Sequence, residues 1–111
     1  MPPKAPRLTH SLEAVVDAVG SAPPDTPAYG LQLCDDTGLG PGTVYPVLER
    51  LVELGWVTTW QEEEQPSGRP RRRYYEITGA GRSELAEARA AREERRRRLR
   101  GAFTRPRPGE A

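Results

Sequence analysis

The sequence predicts a mainly α chain with one small β-hairpin, and three observations predict it. Apolar residues recur at helical spacing in three short stretches before Gly55. From Trp56 the pattern turns to β-branched and aromatic residues in two runs separated by a polar loop. After Thr78 it returns to a long stretch rich in Ala, Glu and Arg.

Leu8, Leu12, Val15, Val16 and Val19 share one face of a first helix running from Leu8 to Val19, with Gly20 as its expected C-cap. Three prolines in Ser21–Pro27 require a loop. A second helix is expected over Ala28–Thr37, with Leu31, Leu33 and Cys34 for packing and Cys34 as a buried thiol. Gly38-Leu39-Gly40-Pro41 reads as a tight turn. Thr43–Leu54 is a third helix, apolar at Val44, Val47, Leu48, Leu51 and Leu54. Pro46 is placed in or near its first turn, where a missing N–H leaves no acceptor unsatisfied. Trp56–Trp60 and Arg73–Ile77 are the two strands. Thr78 is the expected N-cap of a last helix over Ala80–Arg100, roughly 30 Å long at 1.5 Å per residue.

Three helices followed by a hairpin make a winged helix-turn-helix. The organisation expected is a flexible basic arm (1–7), the winged domain (8–79), a C-terminal dimerisation helix (80–100) and a disordered tail (101–111). The last helix carries a thin apolar stripe, Leu85, Ala88 and Leu99, among i,i+4 charge pairs worth tenths of a kcal/mol each. Such a helix needs packing to be stable. It is therefore expected to dock on Leu8, Leu12 and Val15 of a second subunit, giving a homodimer.

The net charge is +1, but it is divided unevenly. Residues 1–55 hold three basic against seven acidic groups, a sum of −4, and residues 56–111 hold fourteen against nine, a sum of +5. That asymmetry suits a nucleic-acid surface in the second half, although a solvated basic helix gives it too. No apolar run reaches the roughly 18–20 residues of a membrane span, and the plain expectation is a cytoplasmic protein. Cys34 is the sole cysteine and His10 the sole histidine, and no Gly-rich phosphate loop is present. No catalytic constellation, metal site or cofactor is expected, and the chain does not read as an enzyme.

Two segments can meet DNA. With Val44, Val47, Leu48 and Leu51 turned inward, the third helix leaves Thr43, Tyr45, Pro46 and Arg50 outward near its start. Hydroxyls there can bond phosphates or base edges, and Pro46 with the Tyr45 ring can touch thymine methyls. The helix N-terminus beginning near Gly42 favours a phosphate. The bland alternative is an amphipathic helix with a polar outer face. At the hairpin tip, Arg69, Arg71, Arg72 and Arg73 can enter a minor groove and add salt-sensitive affinity. Its alternative is a solvated loop neutralised by Glu62-Glu63-Glu64, whose acidity keeps open a protein-interaction module without DNA binding.

Gly42-Thr43-Val44-Tyr45-Pro46-Val47-Leu48-Glu49-Arg50-Leu51, Gly55-Trp56-Val57, Gly68 through Tyr75, and Ile77-Thr78-Gly79-Ala80-Gly81-Arg82 follow one another in an order that resembles the PadR family of bacterial regulators. Tyr29-Gly30 resembles that family's second-helix start, which adds Tyr29 to the DNA-contacting residues. The resemblance covers about residues 8–95 and is closest to the short type with a single C-terminal helix. It implies a dimeric winged-helix repressor on a palindromic operator in double-stranded DNA. Some short relatives bind flat aromatic ligands between subunits, which makes a small aromatic effector at the dimer interface a candidate partner. Trp56 and Trp60 are expected in the hairpin core and hinge instead.

Overall fold

The computed structural model describes residues 6–64 and 66–104. Most of the arm (1–5) and most of the tail (105–111) lie outside the described residues. The elements are α1 (His10–Ser21), β1 (Ala28–Tyr29), α2 (Gly30–Thr37), α3 (Pro41–Glu53), β2 (Val57–Gln61), β3 (Arg73–Ile77) and α4 (Gly79–Thr104).

Helix α1 starts two residues later than its apolar pattern predicts, because Thr9 caps it by accepting the Leu12 N–H at 3.2 Å. It also runs through Gly20 and stops at Ser21. Ala22, which precedes the Pro23-Pro24 pair, is extended, as the proline ring requires of the residue before it.

The second helix does not begin at Ala28. Ala28 and Tyr29 instead pair antiparallel with Tyr75 and Tyr74, so β1 is the outer strand of a three-stranded sheet in the order β1-β3-β2. In the hairpin Val57 faces Ile77 and Trp60 faces Tyr74. Gly38, at φ 72°, closes α2 by donating to the Cys34 carbonyl.

The predicted turn over Gly38–Pro41 is shorter than expected, since Pro41 already occupies the first position of α3. Pro46 consequently lies inside the helix rather than in its first turn, and it removes the donor that would reach the Gly42 carbonyl. Gly55, at φ 76°, donates to the Val52 carbonyl while the Trp56 N–H donates to Leu51, which turns the chain sharply into β2. Trp56 is buried immediately after that turn.

Thr78 joins the hairpin to α4. Its hydroxyl donates to the Gly55 carbonyl at 2.7 Å and accepts the Gly81 N–H at 2.9 Å. Gly81 rides directly on the Trp56 backbone, and a Cβ there would stand 2.9 Å from Trp56 Cα.

The core gathers Leu12, Val15, Val16 and Val19 of α1 with Leu33, Val44, Leu48, Leu51, Trp56, Val57, Tyr75, Ile77 and Leu85. This corrects the expected dimer contacts. Val15 is fully buried and Leu12 nearly so inside their own protomer, and Leu85 packs on the same core. Helical periodicity marked these faces as buried without saying against what. Leu8 is half-buried on the core edge, Ala88 is half-buried, and Leu99 stays 60% exposed. Leu31, expected to pack, is exposed, and Cys34 is half-buried rather than sealed.

Beyond Leu85, α4 is tied to α1 by charge. Arg89 donates to Glu13 at 2.6 Å and to both oxygens of Asp17, and Arg92 forks onto Glu13 at 2.7 and 3.0 Å. These guanidiniums hold the Glu13 carboxyl well below the ordinary range, at about 2, with Arg92 the larger influence. From Glu93 to Ala102 every α4 residue is exposed. The helix runs four residues past its expected end, so residues 101–104, assigned to a tail, are helical.

Candidate nucleic-acid interface

Val44, Leu48 and Leu51 fix the roll of α3 by burying one stripe of it. That roll leaves Gly42, Thr43, Tyr45, Pro46, Glu49 and Arg50 exposed on the opposite side. Helical spacing places Thr43, Pro46 and Arg50 in one row. Tyr45 leans from α3 across the start of α2. Its ring covers Gly30 so closely that a Cβ at position 30 would sit 2.6 Å from Cζ. Glycine at 30 is thus what lets this tyrosine lie flat and 38% exposed at the junction of the two helices.

The wing is the β2–β3 hairpin. Its register continues past the ladder: the Glu62 N–H donates to the Arg72 carbonyl at 2.8 Å, and the Glu62 carboxylate accepts the Arg72 N–H at 3.1 Å. Arg69 completes the closure by forking onto both Glu62 oxygens at 2.9 and 3.0 Å. Those donors lower the Glu62 pKa to about 2, chiefly through Arg69.

The four tip arginines therefore differ in state. Arg69 is engaged with Glu62. Arg72 lies over the Tyr29 ring at 3.9 Å, a cation–π contact. Arg73 reaches the Thr59 hydroxyl at 3.4 Å, and Arg71 is exposed. Tyr29 meets Tyr74 edge to face at 6.2 Å, and Tyr74 meets Trp60 at 6.0 Å, so an aromatic row supports the wing from β1 to β2. Tyr29 is thus half-buried beneath Arg72 instead of standing free at a helix start.

Between α2–α3 and the wing runs an open groove of about 570 Å³, lined by Tyr29, Leu31, Tyr45, Asp35, Arg71 and Arg73 among others. The structure thereby brings Tyr45 of the third helix and the tip arginines to one groove, while Gly42, Thr43, Pro46 and Arg50 are exposed on α3 outside its lining. The sequence offered Glu62–Glu64 as neutralising the tip without naming the Glu62–Arg69 pair, and it gave no sign of the Gly30–Tyr45 contact or the α1–α4 ion pairs. The Glu62–Arg69 pair was within reach, since extending the hairpin register by one pair sets Glu62 opposite Arg72.

Among the described residues, no group of His, Cys, Asp and Glu is placed to hold a metal ion, and no helix is long and apolar enough to cross a membrane. No curated protein matches the sequence. Solved structures do. A PadR-like transcription factor from Bacteroides fragilis superposes with a TM-score of 0.65 at 25% identity, covering 82% of this chain and 87% of that one. A probable transcriptional regulator from Pseudomonas aeruginosa gives 0.59 at 27% identity, covering 88% and 77%. A PadR family regulator from Eggerthella lenta gives 0.66 at 23% identity, covering 86% and 82%, and shares the fold. The family model described as the transcriptional regulator PadR-like family matches residues 25–87, more than half of the chain. That span contains the groove, both of its walls and the start of α4, and the chain belongs to the PadR-like family of transcriptional regulators, which bind DNA and are not enzymes.

Proposed function

We propose that two copies of this chain form a cytoplasmic repressor that binds a palindromic operator. In each copy α3 enters a major groove while the wing lies on the flanking minor groove. The observation that carries this reading is the placement of Tyr45 across one open groove from Arg71 and Arg73, on a helix whose outer face also exposes Thr43, Pro46 and Arg50. Thr43 and Tyr45 supply hydroxyls for base edges or phosphates, Pro46 and the Tyr45 ring an apolar face for thymine methyls, and Arg50 a guanidinium for backbone or guanine. The wing supplies affinity that does not depend on sequence.

The acidic Glu62–Glu64 run gives little support to an interaction module without DNA, because Glu62 is turned onto Arg69. For pairing, the exposed distal half of α4 with Leu99 is the surface that needs a partner, with Leu8 and Ala88 at its near end. Leu12, Val15 and Leu85 are occupied in the protomer core and serve it only by holding α1 and α4 in place.

Selection of duplexes from a random pool with purified protein tests the reading, with sedimentation for the subunit count. A palindrome bound by a dimer is expected. Enrichment of no sequence, or a monomer on a single asymmetric site, would overturn it.

A further inference from the structure

We infer that Glu62 is a positioning residue for the wing, and that Arg69 serves as its clasp and not as a phosphate ligand; this rests on the DNA-binding reading. Charge alone says the reverse. A carboxylate at the tip of a basic hairpin opposes a polyanion, and Arg69 counts as one of four guanidiniums offered to it. The geometry points elsewhere. Glu62 spends both carboxylate oxygens inside the tip, on Arg69 Nη1 and Nη2 and on the Arg72 N–H. Its own N–H closes the ring on the Arg72 carbonyl. Arg69 Nη1 also donates to the Pro70 carbonyl at 3.2 Å, so its guanidinium is held by the loop it belongs to. Glu62 keeps 23% of its side-chain surface exposed and Arg69 35%, so neither is simply solvated.

The consequence runs through the backbone. With Arg72 pinned at both N–H and carbonyl, its side chain is delivered to the Tyr29 ring, and Arg71 and Arg73 on either side are set toward the groove. An unclasped tip would have to order these side chains at the moment of binding, and that cost weakens association. The Gly68 backbone, at φ 84°, makes the bend that brings Arg69 back toward β2.

The test is fluorescence anisotropy of a labelled duplex of mixed sequence, titrated between about 50 and 200 mM salt. Glu62→Gln, which keeps an acceptor but loses the charge, is expected to bind about threefold more weakly than wild type, and Glu62→Ala about tenfold, although both become more positive. Arg69→Ala should match Glu62→Ala without changing the salt slope, and the double variant should be no weaker than either single one. Arg71→Ala should make the slope shallower by about 0.9. Melting midpoints should stay within about 5 °C of wild type, since the tip lies outside the core. Glu62 variants that bind as tightly as wild type or more tightly overturn the inference alone. So does an Arg69→Ala slope that falls like that of Arg71→Ala, or a larger fall in melting midpoint. A wild type that binds no duplex at low salt overturns the DNA-binding reading and this inference together.

Discussion

Replacing Gly30 by alanine tests whether the position of Tyr45 matters to DNA binding independently of folding. A Cβ at 30 would stand 2.6 Å from Tyr45 Cζ and Cε1. Ordinary carbon contacts lie at about 3.5–4.0 Å, so the ring must withdraw by roughly 1 Å. It is free to do so, because it is 38% exposed and its outer side faces the groove. The stability balance is close to even. Gly30 is the first residue of α2 and has no positive φ, so alanine there reduces the freedom of the unfolded chain and contributes about 0.4–1 kcal/mol. Displacing an exposed ring offsets a similar amount. The melting midpoint should therefore move by no more than about 4–8 °C. Binding has no such compensation. A hydroxyl moved by about 1 Å leaves the 2.5–3.0 Å range of a hydrogen bond, a loss of about 1 kcal/mol per subunit. With two subunits on one operator that is about 2 kcal/mol, or roughly thirtyfold. Anisotropy on the selected operator measures it, and Gly30→Ala in a Tyr45→Phe background should add little, because the hydroxyl is already gone. Wild-type affinity in a fully folded Gly30→Ala variant would refute the role given to Tyr45. A collapse of the melting midpoint would refute the claim that the ring can move aside.

Three other outcomes are expected. The double change Arg71→Ala, Arg72→Ala should weaken binding to every duplex and flatten the salt slope by about 1–2, whereas Thr43→Ala should weaken the operator and leave mixed-sequence duplex nearly unchanged, both read by titration in graded salt. Gly81→Ala should lower the melting midpoint by about 8–15 °C even though alanine is the better helix former, because the new Cβ meets Trp56 backbone at 2.9 Å and neither α4 nor β2 can shift freely. Acid should loosen α4 from α1: the Glu13 pKa is lowered from 4.5 to about 2 in the folded chain, so its contribution is full above about pH 4.5 and disappears as pH falls through 2. Melting curves across that window should show a fall that Glu13→Gln reduces, and an unchanged fall in that variant would refute the assignment.

The elements that were legible in the sequence are those whose pattern repeats several times. Val44, Leu48 and Leu51 define α3 by about two turns of agreement, and Arg73–Ile77 is bounded as its aromatic and β-branched content predicts. Two-residue β1 has no period to detect, and it exists only because Tyr74 and Tyr75 offer it a free edge. The start of α3 was hidden by reading Pro41 as a turn residue when it is the first helical one, an error that also displaced Pro46. On α3, exposure of Thr43, Tyr45 and Arg50 followed from the opposite face being apolar. What escaped were pairings between distant positions, such as Glu13 with Arg89 and Arg92, because charge carries no periodicity that names its partner.

Those pairings change what the uneven charge means. The excess of +5 in residues 56–111 suits a nucleic-acid surface in the second half, or equally a solvated basic helix. Much of it is answered within the chain. Arg89 and Arg92 meet Glu13 and Asp17, so the acidic first half and the basic second half neutralise each other along the α1–α4 seam. Arg97, Arg98 and Arg100 lie on Glu93 and Glu94 of their own helix, and Arg69 lies on Glu62. Apart from these, Arg71, Arg72 and Arg73 of the wing line the groove, and Arg50 is exposed on α3. A count of Arg and Lys would credit each subunit with many phosphate contacts and a steep salt dependence. The sorted arginines allow about four, one of them already stacked on Tyr29. The proposed DNA surface thus depends less on total charge than on which arginines of α3 and the wing the fold leaves without an internal carboxylate.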